Sequence, residues 1–144
     1  MIDRIELARL FLYVREVSQN HGQRVNAIQK WCGGQDGESW CCYFTTMILD
    51  IEWQGKCPVT REGSCQAVRE QCEALGYTVT DPEPGDLFFY VNDQDHAHHC
   101  GFVVSVDPLV GLAGNTDASG TSNNGDRVAE HGIHATHFAR VPSP

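Results

Sequence analysis

The chain has 144 residues, with ten Lys and Arg against nineteen Asp and Glu, and its formal net charge is −9 at pH 7. This is the length of one domain with its own core, and we expect a single domain over residues 1–144. The acidic balance argues against a cationic face that would bind nucleic acid or anionic lipid. No apolar run approaches the roughly 20 residues of a membrane span. The charged N-terminus predicts no signal peptide, and therefore synthesis in the cytoplasm.

Apolar residues at three- and four-residue steps predict four helices in the N-terminal half of the chain. The Ser39 hydroxyl is expected to cap the third helix, which begins near Trp40 and Cys41. Gly76 supplies the stop of the fourth helix. The predicted helices cover residues 7–17, 25–31, 40–51 and 65–75.

Short apolar or β-branched runs between turn residues predict a series of strands after Gly76. The clearest is Leu87-Phe-Phe-Tyr-Val91, which lies between Pro and Gly on one side and Asn-Asp on the other. A turn or loop is expected over residues 120–126. Helices followed by strands at hairpin spacing indicate an α+β fold with a mostly antiparallel sheet. The predicted strands cover residues 77–80, 87–91, 101–106, 109–113 and 137–141.

Seven cysteines are a high and odd number for this length, and no C-x-x-C pair occurs among them. A structural zinc site built from paired cysteines is therefore not expected. In a reducing compartment most of these thiols stay reduced. Either they are small buried apolar groups, or one of them carries out chemistry. They stand at positions 32, 41, 42, 57, 65, 72 and 100.

Cys41 is the first candidate for chemistry because it lies at the predicted start of the third helix. There the positive end of the helix dipole and the free N–H groups stabilise a thiolate and lower the pKa of the thiol. The thiolate is the nucleophilic form, so this position suits covalent catalysis. The alternative is that Cys41 and the adjacent Cys42 are simply small buried residues.

Histidines cluster just before the predicted strand that begins at Gly101. A histidine that a strand holds rigidly against a thiol can serve as general base and then as general acid. Two alternatives remain for this cluster: a solvated histidine-rich turn, or a site in which it supplies two or three metal ligands. The members of the cluster are His96, His98, His99 and Cys100.

Asn115 directly follows the predicted strand 109–113, within the sequence Gly114-Asn115-Thr116. On a strand beside the histidine strand, its amide would fix the ring orientation and tautomer of the imidazole. The alternative is a plain turn, in which Asn and Gly are common. A thiol at a helix start, a histidine at a strand start and an amide on the next strand together form a Cys–His–Asn constellation.

The segment Trp40-Cys41-Cys42-Tyr43-Phe44 resembles the block around the nucleophile of CHAP domains. These are the cysteine, histidine-dependent amidohydrolases/peptidases of the papain-like superfamily. Further similar blocks follow the family's order over residues 5–128, and they imply a papain-like fold with N-terminal helices packed on a mostly antiparallel sheet. These blocks are Asn20-His-Gly-Gln-Arg-Val-Asn-Ala-Ile, Pro84-Gly-Asp-Leu-Phe-Phe, His99-Cys-Gly-Phe-Val-Val and Gly114-Asn-Thr.

The resemblance implies a role for each matching residue. Cys41 falls on the nucleophile, His99 on the base and Asn115 on the third member of the triad. Gln35 stands six residues before Cys41, where a side-chain amide of papain-like hydrolases helps to hold the oxyanion. The backbone N–H of Cys41 would supply the other oxyanion contact.

Two positions depart from the family's pattern. Ala113 stands where many members carry a glutamate, two residues before the Asn. An amide stabilises an imidazolium less than a carboxylate does, so the thiolate–imidazolium pair is less favoured when Asn115 acts alone. Cys42 replaces the usual small residue, and it would compete as nucleophile or trap a sulfenate formed on Cys41.

The function implied by the resemblance is a cysteine amidase or endopeptidase that needs no metal or other cofactor. Its substrate would be peptidoglycan, cleaved between muramic acid and L-alanine or within the stem or cross-bridge peptide. We expect a monomer that acts on the cell wall, in phage or prophage lysis or as an effector delivered into a competitor, with no nucleic-acid partner. The alternatives are a non-catalytic module that binds wall fragments or a partner, a His/Cys metal-binding protein, and a cysteine peptidase that acts on proteins.

Overall fold

The computed structural model describes residues 2–116 and 125–144, and most of the predicted loop 120–126 lies outside them. Within the described residues the chain forms four helices followed by six strands. The helices are α1 (Arg4–Arg9), α2 (Gln23–Trp31), α3 (Cys41–Glu52) and α4 (Cys65–Ala74). The strands are β1 (Thr78–Val79), β2 (Leu87–Val91), β3 (Ala97–Val106), β4 (Leu109–Thr116), β5 (Arg127–Gly132) and β6 (His137–Ala139).

The six strands form one antiparallel sheet in the order β1-β6-β2-β3-β4-β5. This confirms the predicted α+β class with an antiparallel sheet. Successive side chains of a strand point to opposite faces, and each face of the sheet carries its own apolar cluster. The face toward the helices bears Leu87, Phe89, Cys100, Phe102 and Leu112. The opposite face bears Phe88, Val103, Ala113, Ile133 and Phe138.

Helix α3 is the central helix of the fold. Its residues from Cys41 to Leu49 are all buried, as expected of a helix that is apolar on every side. It packs on β3 and β4 and is flanked by α1 and α2. The start of α3 therefore lies beside the two central strands on which sequence reasoning placed His99 and Asn115. In the part of the chain that the structure describes, no helix has the length and apolar character needed to cross a membrane.

The first helix is much shorter than the predicted span 7–17. It begins with a capping box between Asp3 and Glu6 and ends at Arg9. Beyond it the chain runs beside β5: the Val128 N–H donates to the Val14 carbonyl at 3.1 Å, and the Glu16 N–H donates to the Asp126 carbonyl at 2.7 Å. These bonds give the backbone groups of this segment partners that a helix would otherwise supply, and Val14 is buried. Pairing with β5 therefore overrides the local helical pattern.

The observed strands differ from the predicted ones mainly at ends that carry polar residues. Strand β2 has the predicted bounds, and β4 begins where predicted but extends to Thr116. Strand β3 begins at Ala97, four residues before the predicted Gly101, and therefore includes most of the histidine cluster. Strand β5 was missed because only Val128 and Ala129 give it an apolar signal and it pairs on one side only, with β4.

Candidate functional site

Cys41 is the first residue of α3 and is almost completely buried. The predicted cap by Ser39 is wrong: the N-cap residue is Trp40, and no side chain caps this end. The first-turn N–H groups of an uncapped helix favour an anion there. The Cys41 sulfur lies 3.6 Å from the sulfur of Cys65.

Asn115 is also buried, and it is tied to the segment that precedes α3. Its Nδ2 donates to the Ser39 hydroxyl at 2.8 Å, which explains why this hydroxyl is not the helix cap. The backbone of Asn115 has φ of 50°, a left-handed conformation that asparagine tolerates better than most residues. Next to it, a Cβ on Gly114 would come within 2.8 Å of the Trp40 ring. The structure thus brings Asn115 to the start of the helix that carries Cys41.

His99 lies on the face of the sheet that points away from the helices. Its ring centroid is 5.3 Å from that of Tyr90 and 5.9 Å from that of Phe88. The ring is completely buried, and neither Nδ1 nor Nε2 has a hydrogen-bond partner among the described residues. Cys100, the next residue, points to the helix side, where its sulfur donates to Thr45 Oγ1 at 3.6 Å.

His99 and Asn115 lie on the neighbouring strands β3 and β4. Phe102 pairs with Leu112 across β3 and β4, and beyond this pair β4 has an irregularity between Ala113 and Thr116 that contains Asn115. The Asn115 Oδ1 is, like the ring nitrogens of His99, buried without a hydrogen-bond partner in the described part of the chain. The three predicted triad residues therefore lie on neighbouring elements, but no hydrogen bond joins His99 to Cys41 or to Asn115.

Gln35 lies in the loop between α2 and α3, and its side chain is exposed. Its backbone N–H donates to the carboxylate of Glu38. The amide that is buried in this region is that of Gln29, on α2. Gln29 Nε2 donates to the carbonyl oxygens of Asn20 at 3.0 Å and Glu38 at 2.7 Å, so it holds the loop that leads into α3.

Four cysteines meet where α3, α4 and β3 come together, and we call them the thiol cluster: Cys41, Cys42, Cys65 and Cys100. The sulfurs of Cys42, Cys65 and Cys100 all lie within 4.8 Å of one another. Cys65 is the first residue of α4, and its sulfur is 3.6 Å from that of Cys100. All four residues are buried and carry free thiols.

Hydrogen bonds among the thiols shift the pKa values of Cys42 and Cys65 in opposite directions. Burial by itself raises the pKa of Cys42, but hydrogen bonds with Cys100 and Cys65 lower it to about 7. The hydrogen bonds of Cys65 with Cys100, Cys41 and Cys42 raise its pKa well above the ordinary value. The cluster therefore favours a thiolate on Cys42, stabilised by the thiols around it.

Sequence reasoning missed the thiol cluster because its members come from three separate elements and contain no C-x-x-C spacing. The available signal was positional, since Cys41 and Cys65 each begin a predicted helix. The structure also bears on the alternative metal site at the histidine cluster. Among residues 2–116 and 125–144, the group of three or more close metal-ligating side chains is Cys42, Cys65 and Cys100, and no histidine belongs to it.

Comparisons with known proteins add no further identification. No protein-family model matches the chain, and neither the curated proteins nor the solved structures give a match. The resemblance to CHAP domains stays an inference from the motifs around Cys41, His99 and Asn115.

Proposed function

We propose that this protein is a cysteine amide hydrolase with a papain-like fold, in which Cys41 is the nucleophile, His99 the general base and acid, and Asn115 the orienting amide. The observation that supports this most is the hydrogen bond from Asn115 to Ser39, which ties the end of β4 to the start of the Cys41 helix. The resemblance to CHAP domains supplies the order of the three residues along the chain.

The reaction begins when His99 takes the proton of Cys41 and the thiolate attacks the amide carbonyl carbon. The negative charge on the carbonyl oxygen is held by the N–H groups at the uncapped start of α3, together with the side chain of Gln35. His99 then gives its proton to the leaving amine. Water, activated by the same imidazole, finally hydrolyses the acyl–sulfur bond and restores the Cys41 thiol.

His99 points to the face of the sheet away from α3, so catalysis requires a local rearrangement of β3 that turns the ring toward Cys41 on the helix side. The two ring nitrogens make no hydrogen bond in the described structure, so the rearrangement changes the backbone pairing of β3 but breaks no hydrogen bond of the ring. A buried polar group without a partner costs about 1–3 kcal/mol. Bonds from the ring to Cys41 and to the unpaired Oδ1 of Asn115 would remove that cost and so offset part of the cost of rearranging β3.

We assign peptidoglycan as the substrate class, with cleavage at the muramoyl–L-alanine bond or within the stem or cross-bridge peptide. This assignment comes from the CHAP resemblance. It places the action of the protein at the cell wall, in phage or prophage lysis or as a delivered effector, and requires no nucleic-acid partner. Because Ala113 replaces the family's glutamate, Asn115 alone orients the imidazole.

A second candidate is a non-catalytic module of the same fold that binds wall fragments. It is favoured by the burial of Cys41 and by the lack of a hydrogen bond between Cys41 and His99. The two candidates differ in a single property, the cleavage of an amide bond, and one experiment separates them.

The test measures hydrolysis of purified peptidoglycan sacculi, with reductant and a chelator present and with fragments identified by mass spectrometry. We expect cleavage by the wild type and a loss of at least about 1000-fold in Cys41→Ala, because the nucleophile is removed. Cys72→Ala is the matched control: Cys72 is buried on α4 outside the thiol cluster, and this variant should keep its activity.

The variants also identify which of the two adjacent cysteines attacks. Cleavage that survives Cys41→Ala but is lost in Cys42→Ala would transfer the nucleophile to Cys42 and overturn the proposed assignment. A wild type that binds sacculi and releases no fragments would establish the binding module instead.

A further inference from the structure

We propose that the thiol cluster binds one thiophilic metal ion of the Zn²⁺ type, with Cys42, Cys65 and Cys100 as three ligands and Cys41 as the fourth. This site goes beyond the proposed hydrolase, because metal binding requires neither His99 nor a substrate. Each thiol that binds the ion gives up its proton to solvent.

The spacing of the sulfurs carries the proposal. A tetrahedral Zn²⁺ with bonds of about 2.3 Å holds its thiolate sulfurs about 3.8 Å apart. The sulfur of Cys65 lies 3.6 Å from that of Cys41 and 3.6 Å from that of Cys100. Cys42 completes a group of three with Cys65 and Cys100 in which no two sulfurs are more than 4.8 Å apart. Cys41 stands outside this group of three, so its side chain must rotate to bring its sulfur onto the same ion.

The position of the ligands in the fold makes the site rigid and dry. Cys41 and Cys65 are the first residues of α3 and α4, and Cys100 lies on the central strand β3. The exposed fraction of the cluster is 2% for Cys41, 6% for Cys65 and 0% for Cys42 and Cys100. The first turn of α3, which no side chain of the described residues caps, favours negative charge at this end of the cluster. Such a site binds without prior ordering of the chain.

The donor set selects the class of ion. Thiolate sulfur is a soft ligand that favours Zn²⁺ and Cu⁺ over hard ions such as Mg²⁺ and Ca²⁺. A single ion is favoured over an iron–sulfur cluster, since a cluster places sulfide between its iron atoms and spreads the cysteine sulfurs farther apart. Zn²⁺ is the representative ion because four thiolates form its ordinary closed site.

Occupation of this site has a consequence for the proposed reaction. A Cys41 sulfur bound to Zn²⁺ shares one lone pair with the metal and is a weaker nucleophile than a free thiolate, so we expect the metal-bound form to be inactive. Removal of the ion by a chelator should then activate hydrolysis, and added Zn²⁺ should inhibit it. The binding measurement below uses no substrate, so its result does not depend on whether the hydrolase proposal is correct.

The test titrates reduced, metal-free protein with Co²⁺, which replaces Zn²⁺ in tetrahedral sites and gives intense thiolate charge-transfer and d–d absorption. We expect one Co²⁺ per chain, displaced by Zn²⁺. Cys65→Ser should weaken binding about 100-fold or more, because it removes a central ligand while keeping the size of the side chain. Cys72→Ser, on the same helix and equally buried, should bind as the wild type does. Cys41→Ser should bind more weakly and with reduced charge-transfer intensity.

Three results would overturn the proposal. They are the absence of thiolate-type Co²⁺ absorption in the reduced wild type, equal losses in Cys65→Ser and Cys72→Ser, and an unchanged spectrum in Cys41→Ser. Circular dichroism establishes that each variant is folded, and Cys100→Ser tests the site from the sheet side if Cys65→Ser does not fold. The wild type gives an independent readout, since Zn²⁺ that binds the native state alone must raise its Tm.

Discussion

At the scale of single residues, burial turns ordinary thiols into groups that resist ionisation. Burial raises the pKa of Cys72 to about 12 and that of Cys32 to about 11. In an unfolded chain these thiols ionise near their ordinary value of about 8.5. The neutral form is therefore part of the folded state, and alkaline pH works against folding through these residues.

The sign of this effect predicts how stability depends on pH. Above about pH 9 the unfolded chain loses the Cys72 proton while the folded chain keeps it, so the free energy of unfolding falls as pH rises toward 12. One such group contributes a slope of up to about 1.4 kcal/mol per pH unit. Urea unfolding under reductant between pH 7.5 and 10.5 measures the slope, and Cys72→Ala should make it less steep. An identical slope in the variant would contradict the assigned role of Cys72.

At the scale of elements, the close packing of β2, β3 and β4 depends on a missing side chain at Gly101. A Cβ at this position would come within 2.5 Å of the Leu112 carbonyl oxygen, 2.7 Å of the Phe88 ring and 2.8 Å of the Ala113 Cβ. Two of these three atoms belong to β4, the strand that carries Asn115. Gly101 is two residues from His99, so the spacing at this glycine also sets the distance between the two strands at the candidate site.

We therefore predict that Gly101→Ala destabilises the fold by about 1–3 kcal/mol, the usual cost of an overpacked site. The matched control is Gly132→Ala at the end of β5, where the nearest atom to an added Cβ is 4.0 Å away. That variant should change the free energy of unfolding by less than about 0.5 kcal/mol. The midpoints and slopes of urea unfolding give the free energy of unfolding of both variants. Similar decreases in the two variants would show that the close contacts around Gly101 are not the cause of the destabilisation.

The elements that sequence patterns predicted best are those whose apolar period is uninterrupted. Helices α2, α3 and α4 and strand β2 have such a period, and they position Cys41 at a helix start as predicted. The sequence could not predict on which face of the sheet the His99 side chain lies, because a register shift of one residue moves every side chain of a strand to the other face. The bulges that set this register, between Tyr90 and Val91 and between Ala113 and Thr116, leave no mark in the sequence.

At the scale of the whole molecule, most of the few cations are already engaged with carboxylates. Arg4 and Glu52 form a buried pair at 2.8 Å, and several exposed pairs lie across the surface. With a net charge of −9, the field outside the protein is negative, and a negatively charged wall repels it. Within the described residues the exposed pairs include Arg9–Glu130, Lys30–Asp36, Arg69–Asp95, Arg127–Asp126 and Arg140–Glu83.

This charge predicts that salt accelerates the proposed hydrolysis of sacculi. The range of the repulsion falls from about 30 Å at 0.01 M salt to about 8 Å at 0.15 M, so more enzyme reaches the wall and the apparent KM should fall severalfold. A short uncharged muropeptide analogue is the control substrate, and its hydrolysis should be nearly independent of salt. Rates measured with both substrates at the two salt concentrations distinguish an effect of salt on binding to the wall from an effect on the chemical step. A rate on sacculi that falls with salt would instead require a local cationic surface that attracts the wall despite the net charge.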